Sequence, residues 1–185
     1  MWYREPMAPS PTAVAAQACC GVIFARLAGE RGVHAETAVA AAARMAGTFL
    51  LLSLGLPLDK LPSGAPVFSD AANEKGPALV SLYAGTLRAL GIDADPQRAG
   101  AAAASAELLL SLLDTQRLLD GPLAAVAREH GLSYAEAAEA CAVAAAVITQ
   151  KCSAVLAPDV SSGIAGYGFV EGSKTVPYMP SAEAG

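Results

Sequence analysis

The residues best suited to acid–base chemistry are two carboxylates, Glu107 and Asp114, that fall within one predicted helix. On that helix Glu107, Ser111 and Asp114 form a single stripe. Two carboxylates in a cleft could serve as general acid and general base. The same stripe would equally be the solvated side of an amphipathic helix, with Asp114 and Arg117 as an intrahelical ion pair.

A second polar group lies in the longest interruption of the apolar pattern, from Gly55 to Gly76. Its carboxylates and amides include Asp70, Asn73 and Glu74, and loops held by a rigid scaffold often carry binding sites. We therefore predict that a ligand, if there is one, binds where this loop meets the helices. Residues of these types are also typical of a helix start, which would explain them without a ligand.

Metal chemistry has little support in the sequence. The two histidines, His34 and His130, are far apart, and no spacing of the kinds CxxC, HxxxH or ExxH occurs. These regular spacings are typical of zinc and di-iron sites on helices. We predict no metal and no cofactor, and expect both histidines to lie at helix ends.

The four cysteines are predicted to be reduced structural thiols: Cys19, Cys20, Cys141 and Cys152. They form no regular disulfide framework, and the first residues lack the apolar run of a secretory signal. No basic neighbour that would activate one of them as a nucleophile is apparent. These features favour a cytoplasmic protein.

One segment, Leu123 to Ala138, resembles the helix-turn-helix of bacterial repressors, with Ala127, Gly131 and Ala137 at its turn positions. The resemblance implies DNA binding through the second helix. A recognition helix presents cations and amides to DNA, whereas this one has no positive charge before Lys151. We therefore favour a plain corner between two helices.

Composition and charge further restrict the fold class and the kinds of partner that the protein can bind. The chain has 185 residues, 54% of them hydrophobic and only 5% aromatic, so its apolar content is largely alanine, the strongest helix former. A net charge of −5 repels nucleic acid and anionic lipid. The most apolar stretch, Ala38 to Leu56, is better explained as a core helix than as a membrane span, because much of it is Ala and Gly.

The apolar periodicity predicts an all-α, single-domain bundle of about six helices. The signals at their ends give these approximate bounds: 12 to 30, about 20 residues after His34, 77 to 91, 95 to 119, 121 to 131, and a last helix opened by a capping box at Ser133 and Glu136. The predicted divisions are an extended arm over 1–11, the bundle over 12–157 and a non-helical, Gly/Pro-rich tail over 158–185.

The tail is unusually rich in apolar side chains, and alanine buries little area. We therefore predict a homodimer in which the tail docks on the neighbouring subunit through Ile164, Tyr167, Phe169, Val170 and Tyr178. A tail folded back on its own subunit would give the same burial.

Three functions follow from these patterns. The leading hypothesis is a non-catalytic helical module that self-associates or binds a protein partner, without nucleic acid or membrane. The second is a small-ligand binder or enzyme that uses the 55–76 loop and the fourth helix. The third is a helix-turn-helix DNA-binding regulator, which the missing cations disfavour.

Overall fold

The computed structural model describes residues 10–179, except for the side chains of residues 96, 97, 101 and 102. Within that range the fold is all-α, as predicted, with seven α-helices. They are α1 (Pro11–Leu27), α2 (Ala35–Ser53), α3 (Asp70–Ala89), α4 (Pro96–Ala103), α5 (Leu112–Glu129), α6 (Tyr134–Cys152) and α7 (Pro158–Ser173), with one 3-10 turn at Leu58–Lys60. The predicted arm over 1–11 falls mostly outside the described residues.

The bundle is organised around α2, which packs mainly against α7 and α6. Every residue of α2 from Thr37 to Leu51 is buried. The helix is long and apolar enough to cross a membrane, but the bundle covers 83% of its most apolar window. A helix that is apolar on all sides belongs in the centre of a bundle, so the prediction of a core helix is confirmed.

Serine caps begin several of the helices. The Oγ atoms of Ser10, Ser69 and Ser111 each accept a hydrogen bond from a backbone N–H in the first turn of α1, α3 and α5. The predicted capping box of α6 is confirmed, because Ser133 and Glu136 satisfy each other's backbone donors. Side-chain hydrogen bonds thus determine where these helices start.

The predicted bounds of the middle helices are wrong in two places. The third helix begins at Asp70, ahead of Gly76-Pro77, which lies inside it. The predicted helix over 95–119 is two helices, α4 and α5, and α5 continues through Gly121-Pro122 to Glu129. Proline favours the first turn of a helix, and the predicted starts at 77 and 121 follow from Pro77 and Pro122, whereas the Ser69 and Ser111 caps start these helices earlier.

The prediction of a non-helical tail is also wrong. Residues Pro158–Ser173 form α7, a helix rich in glycine that crosses α2 closely. A Cβ atom on Gly168 would lie 2.9 Å from the Cβ of Ala43, and one on Gly172 would overlap the backbone oxygen of Arg44. Glycine lowers helix propensity by about 1 kcal/mol per residue, so α7 depends on this packing for its stability.

The segment after α7 packs against the loop that follows α2. Residues 174–176 pair with residues 64–67, where the N–H of Val67 donates to Lys174 over 2.7 Å and that of Val176 donates to Ala65 over 2.8 Å. Val176 and Val67 form a small second core with Leu51 and Leu58. The long loop after α2 is therefore held by the C-terminal segment.

Candidate functional site

The residues predicted from the loop lie at the start of α3. Asp70, Asn73 and Glu74 occupy its first turns, with their side chains exposed. They line neither of the two pockets described below. Their placement fits the helix-start interpretation, which was the alternative to a ligand site.

The predicted carboxylate stripe is absent from the described structure. Glu107 lies in the connection between α4 and α5, where its backbone N–H donates to Glu36 over 2.9 Å. Asp114 is in the first turn of α5 and accepts hydrogen bonds from Ser111 and Arg117. The Ser111 hydroxyl contributes most to holding the pKa of Asp114 below its usual value. Because only Asp114 is helical, the two carboxylates do not form a pair on one helix face.

Sequence reasoning missed a buried polar network in which α2 meets α5 and α7. Arg44 is 5% exposed; its Nε donates to Glu171 over 2.7 Å and its Nη1 donates to the Leu110 carbonyl over 2.7 Å. One turn further along α2, Thr48 accepts from Gln116, whose own Oε1 accepts from the N–H of Tyr178. A lone arginine in an apolar helix was the available signal, since a buried charge requires a partner.

Three of the four cysteines are buried together between α1 and α6. Cys20 donates a hydrogen bond to the Ala144 carbonyl over 3.6 Å, and burial raises its pKa to about 12. The neighbouring Cys19 and burial also raise the pKa of Cys141. The hydrogen bond with Cys141 lowers the pKa of Cys19, whereas Cys20 and Cys141 stay protonated at neutral pH and are poor nucleophiles. All three side chains are buried, which suits the cluster to packing.

The described residues contain no group of three or more His, Cys, Asp or Glu side chains that could hold a metal ion. Both histidines lie at helix ends: His34 precedes α2, where its ring Nδ1 lies 2.9 Å from the Thr37 hydroxyl, and His130 follows α5.

A pocket of about 270 Å³ lies between α3, the turn after it, α4 and α7; we call it the tyrosine pocket. Its buried part is formed by Tyr83, Leu87 and Phe169. The Tyr83 hydroxyl lies 2.9 Å from that of Thr149 and 3.5 Å from that of Ser162, which also lines the pocket. Burial raises the pKa of Tyr83, so the phenol is neutral at physiological pH. Two exposed charged side chains, Arg88 and Asp93, complete the lining.

A second, wider pocket of about 740 Å³ runs along the other side of the contact between α4 and α7; we call it the α4–α7 groove. Among the side chains that the structure describes, no charged one lines it. Two large apolar side chains of its lining are exposed, Tyr167 at 64% and Val170 at 51%. The two pockets share Ala99, Ser162 and Gly166, so they flank a single helix crossing.

The segment that resembles a helix-turn-helix does form a corner, in which the helix direction bends by 110° from α5 to α6. Gly131 has a φ of 65°, the left-handed conformation that glycine commonly adopts after a helix. The second helix is buried from Ala137 to Thr149 except at Glu139 and the half-buried Val143. A recognition helix requires a free face for the major groove, whereas the exposed residues of α6 lie in its first turn, at Glu139 and in its last turn.

The geometry thus offers two places for a partner or ligand, the tyrosine pocket and the α4–α7 groove, and α7 contributes to both. No known protein family, curated protein or solved structure matches this chain.

Proposed function

We propose that this chain is a non-catalytic helical module that self-associates as a homodimer through the α4–α7 groove. The observation that carries the proposal is an open apolar groove that no charged residue of the described range 10–179 lines, beside two exposed apolar side chains, Tyr167 and Val170. Exposed apolar surface of this kind is typical of protein interaction sites.

A second copy is the partner that fits this surface. The protruding Tyr167 and Val170 and the groove belong to one patch, so a twofold axis through the patch would place the side chains of each subunit in the groove of the other. The chain carries a net charge of −5, and an uncharged patch lets two copies meet without direct repulsion. The nearby Glu171 is already paired with Arg44.

Burial of Tyr167 and Val170 determines the approximate free energy of dimerisation. Each large apolar side chain that leaves water contributes about 1.5 to 3 kcal/mol, and a symmetric dimer buries two copies of each. Loss of translational and rotational freedom opposes this by at least about 4 kcal/mol. We therefore expect a dimer of moderate affinity that also needs the surface of Ala103, Ala104 and Leu108.

The proposed dimer uses fewer residues of the predicted tail than the sequence analysis named. Ile164 and Phe169 are buried in their own subunit, and Tyr178 stacks on Arg117, whose guanidinium carbon lies 4.7 Å from the ring centroid. A chain ending at Ala157 would lose α7 and with it the main neighbour of α2. Point substitutions in the groove are therefore the better test.

Light scattering on the full chain tests the proposal. We expect a dimer at micromolar concentration, and a monomer with an unchanged circular dichroism spectrum for Tyr167→Asp combined with Val170→Asp. The control is Phe68→Asp, because Phe68 is 95% exposed in the loop before α3 and does not line the groove. A monomeric native chain contradicts the proposal, as does a dimer that survives the double substitution or is lost in the control.

The other two hypotheses remain expectations with less support. DNA binding would have to use the first turn of α6, where Glu136 is the charged side chain. A catalytic role would need reactive groups that converge, and the five residues predicted for it share no hydrogen bond or ion pair with one another across residues 10–179. A cytoplasmic location without nucleic acid or membrane remains our proposal.

A further inference from the structure

The tyrosine pocket has properties that self-association does not use. Its lining changes from buried and apolar to exposed and charged: Tyr83, Leu87 and Phe169 are each at most 3% exposed, whereas Arg88 and Asp93 reach solvent. The rings of Tyr83 and Phe169 meet edge to face with centroids 5.8 Å apart, which fixes the shape of the buried end. A mostly apolar cavity with a few polar groups is typical of a small-molecule site.

The charged side chains have opposite signs and are not paired. Arg88 lies in the last turn of α3, and Asp93 follows in the turn that leads to α4. Neither has an ion-pair partner within residues 10–179. The Arg88 guanidinium lies back along the helix, with its Nη2 4.0 Å from where a Cβ on Gly85 would be. A cation and an anion, both exposed, thus line the same pocket.

From this arrangement we infer that the tyrosine pocket binds a small zwitterion with an apolar side chain, of the chemical class of the apolar α-amino acids. Arg88 would bind the carboxylate, since a guanidinium can donate two parallel hydrogen bonds to it. Asp93 would accept from the ammonium group. The apolar side chain would enter between Leu87, Ile92 and Phe169.

The charges and the size of the pocket favour a small zwitterion over a simple acid, a simple amine or a long acyl chain. A simple carboxylic acid would place its anion near Asp93 as well as Arg88, and a simple amine would place its cation near Arg88. A volume of about 270 Å³ equals about nine water molecules, which suits a branched or aromatic side chain rather than a long acyl chain. The Ser162 hydroxyl, 3.5 Å from that of Tyr83, adds a polar group to the lining.

Titration calorimetry on the full chain tests the inference with leucine and phenylalanine as probes. The matched analogues are 4-methylpentanoate, which lacks the ammonium, 3-methylbutylamine, which lacks the carboxylate, and glycine, which lacks the side chain. We expect saturable binding of at least one amino acid, and each analogue should bind at least about tenfold more weakly, because one charged hydrogen bond contributes about 1.5 kcal/mol or more. No saturable heat for either amino acid at millimolar concentration overturns the inference, as does an analogue that binds equally well.

Substitutions test whether the amino acid binds in the tyrosine pocket. Arg88→Met and Asp93→Asn should each weaken binding by about tenfold or more, and Ala84→Trp, which fills the pocket from α3, should abolish it. Arg128→Met, at an exposed arginine in the last turn of α5, is the control and should bind normally. Unchanged binding in Arg88→Met or Ala84→Trp contradicts the assignment. The result is independent of the dimer, because the titration can be repeated on the Tyr167→Asp, Val170→Asp chain.

Discussion

The two sides of α7 make contacts of opposite kinds. Against α2 the helix packs closely at Gly168 and Gly172, whereas against α4 it leaves the tyrosine pocket and the α4–α7 groove. Both contacts use small residues at the closest approach: Gly168 and Gly172 against α2, and Gly163 against α4. Small residues alone therefore do not decide whether two helices pack tightly.

The length of the partner helix explains the difference. The central helix α2 has 19 residues and offers its own glycine, Gly47, where a Cβ would lie 2.5 Å from the Phe169 carbonyl oxygen. The two backbones therefore stay close over several turns. The eight-residue α4 meets α7 at one crossing, and the side chains of Ala99 and Ala103 are too short to fill the space on either side.

The largest loss of stability is expected from a substitution in the close contact between α7 and α2. The Cβ in Gly172→Ala would overlap the backbone oxygen of Arg44, and backbone atoms of a buried helix cannot move aside singly. We expect a loss of about 3 kcal/mol in the free energy of unfolding, at the upper end for overpacked cores. Chemical denaturation measures it. A loss below about 1 kcal/mol would show that the α2–α7 contact can adjust, and would remove the contrast with α4.

A somewhat smaller loss is expected from Glu171→Ala. The substitution leaves Arg44 with a buried positive charge and without its carboxylate, although Glu171 itself is 24% exposed and water can enter. Removal of one partner from a buried pair costs about 3 kcal/mol or more, and access to water should reduce this to about 2. The double variant Arg44→Met, Glu171→Ala should recover part of the loss in the same denaturation assay. No recovery would mean that Arg44 stabilises the fold through its bond to Leu110 instead.

The smallest loss is expected from Gly163→Ala, at the contact with α4. Its Cβ would overlap the Ala99 carbonyl. However, α7 is the only described helix with which α4 makes extensive contacts, so α4 can shift away. We expect a global loss of about 1 kcal/mol or less and faster amide hydrogen exchange confined to α4. Gly166→Ala, with no atom within 4 Å of its Cβ, is the control for both glycine variants and should stabilise the protein by up to about 1 kcal/mol. A global loss as large as that of Gly172→Ala would contradict the proposed difference between the two contacts.

The sequence alone determined the helical class, the central position of α2 and the corner at Gly131. These features depend on local signals: alanine propensity, apolar residues on every side of one helix, a serine–glutamate capping box and a left-handed glycine. The carboxylate stripe of Glu107 and Asp114 failed because its spacing assumed one helix where Ser111 starts a new one.

Only the tertiary structure decided the state of the C-terminal segment and the positions of the pockets. By propensity, the glycines of α7 disfavour a helix. A helix forms here because the segment packs against α2, which lies so close that residues without a side chain are required. The tyrosine pocket joins Tyr83 and Arg88 to Ser162 and Phe169, which lie more than 70 residues away along the chain. No local pattern could indicate that proximity, because it follows from the way α3, α4 and α7 pack around one crossing.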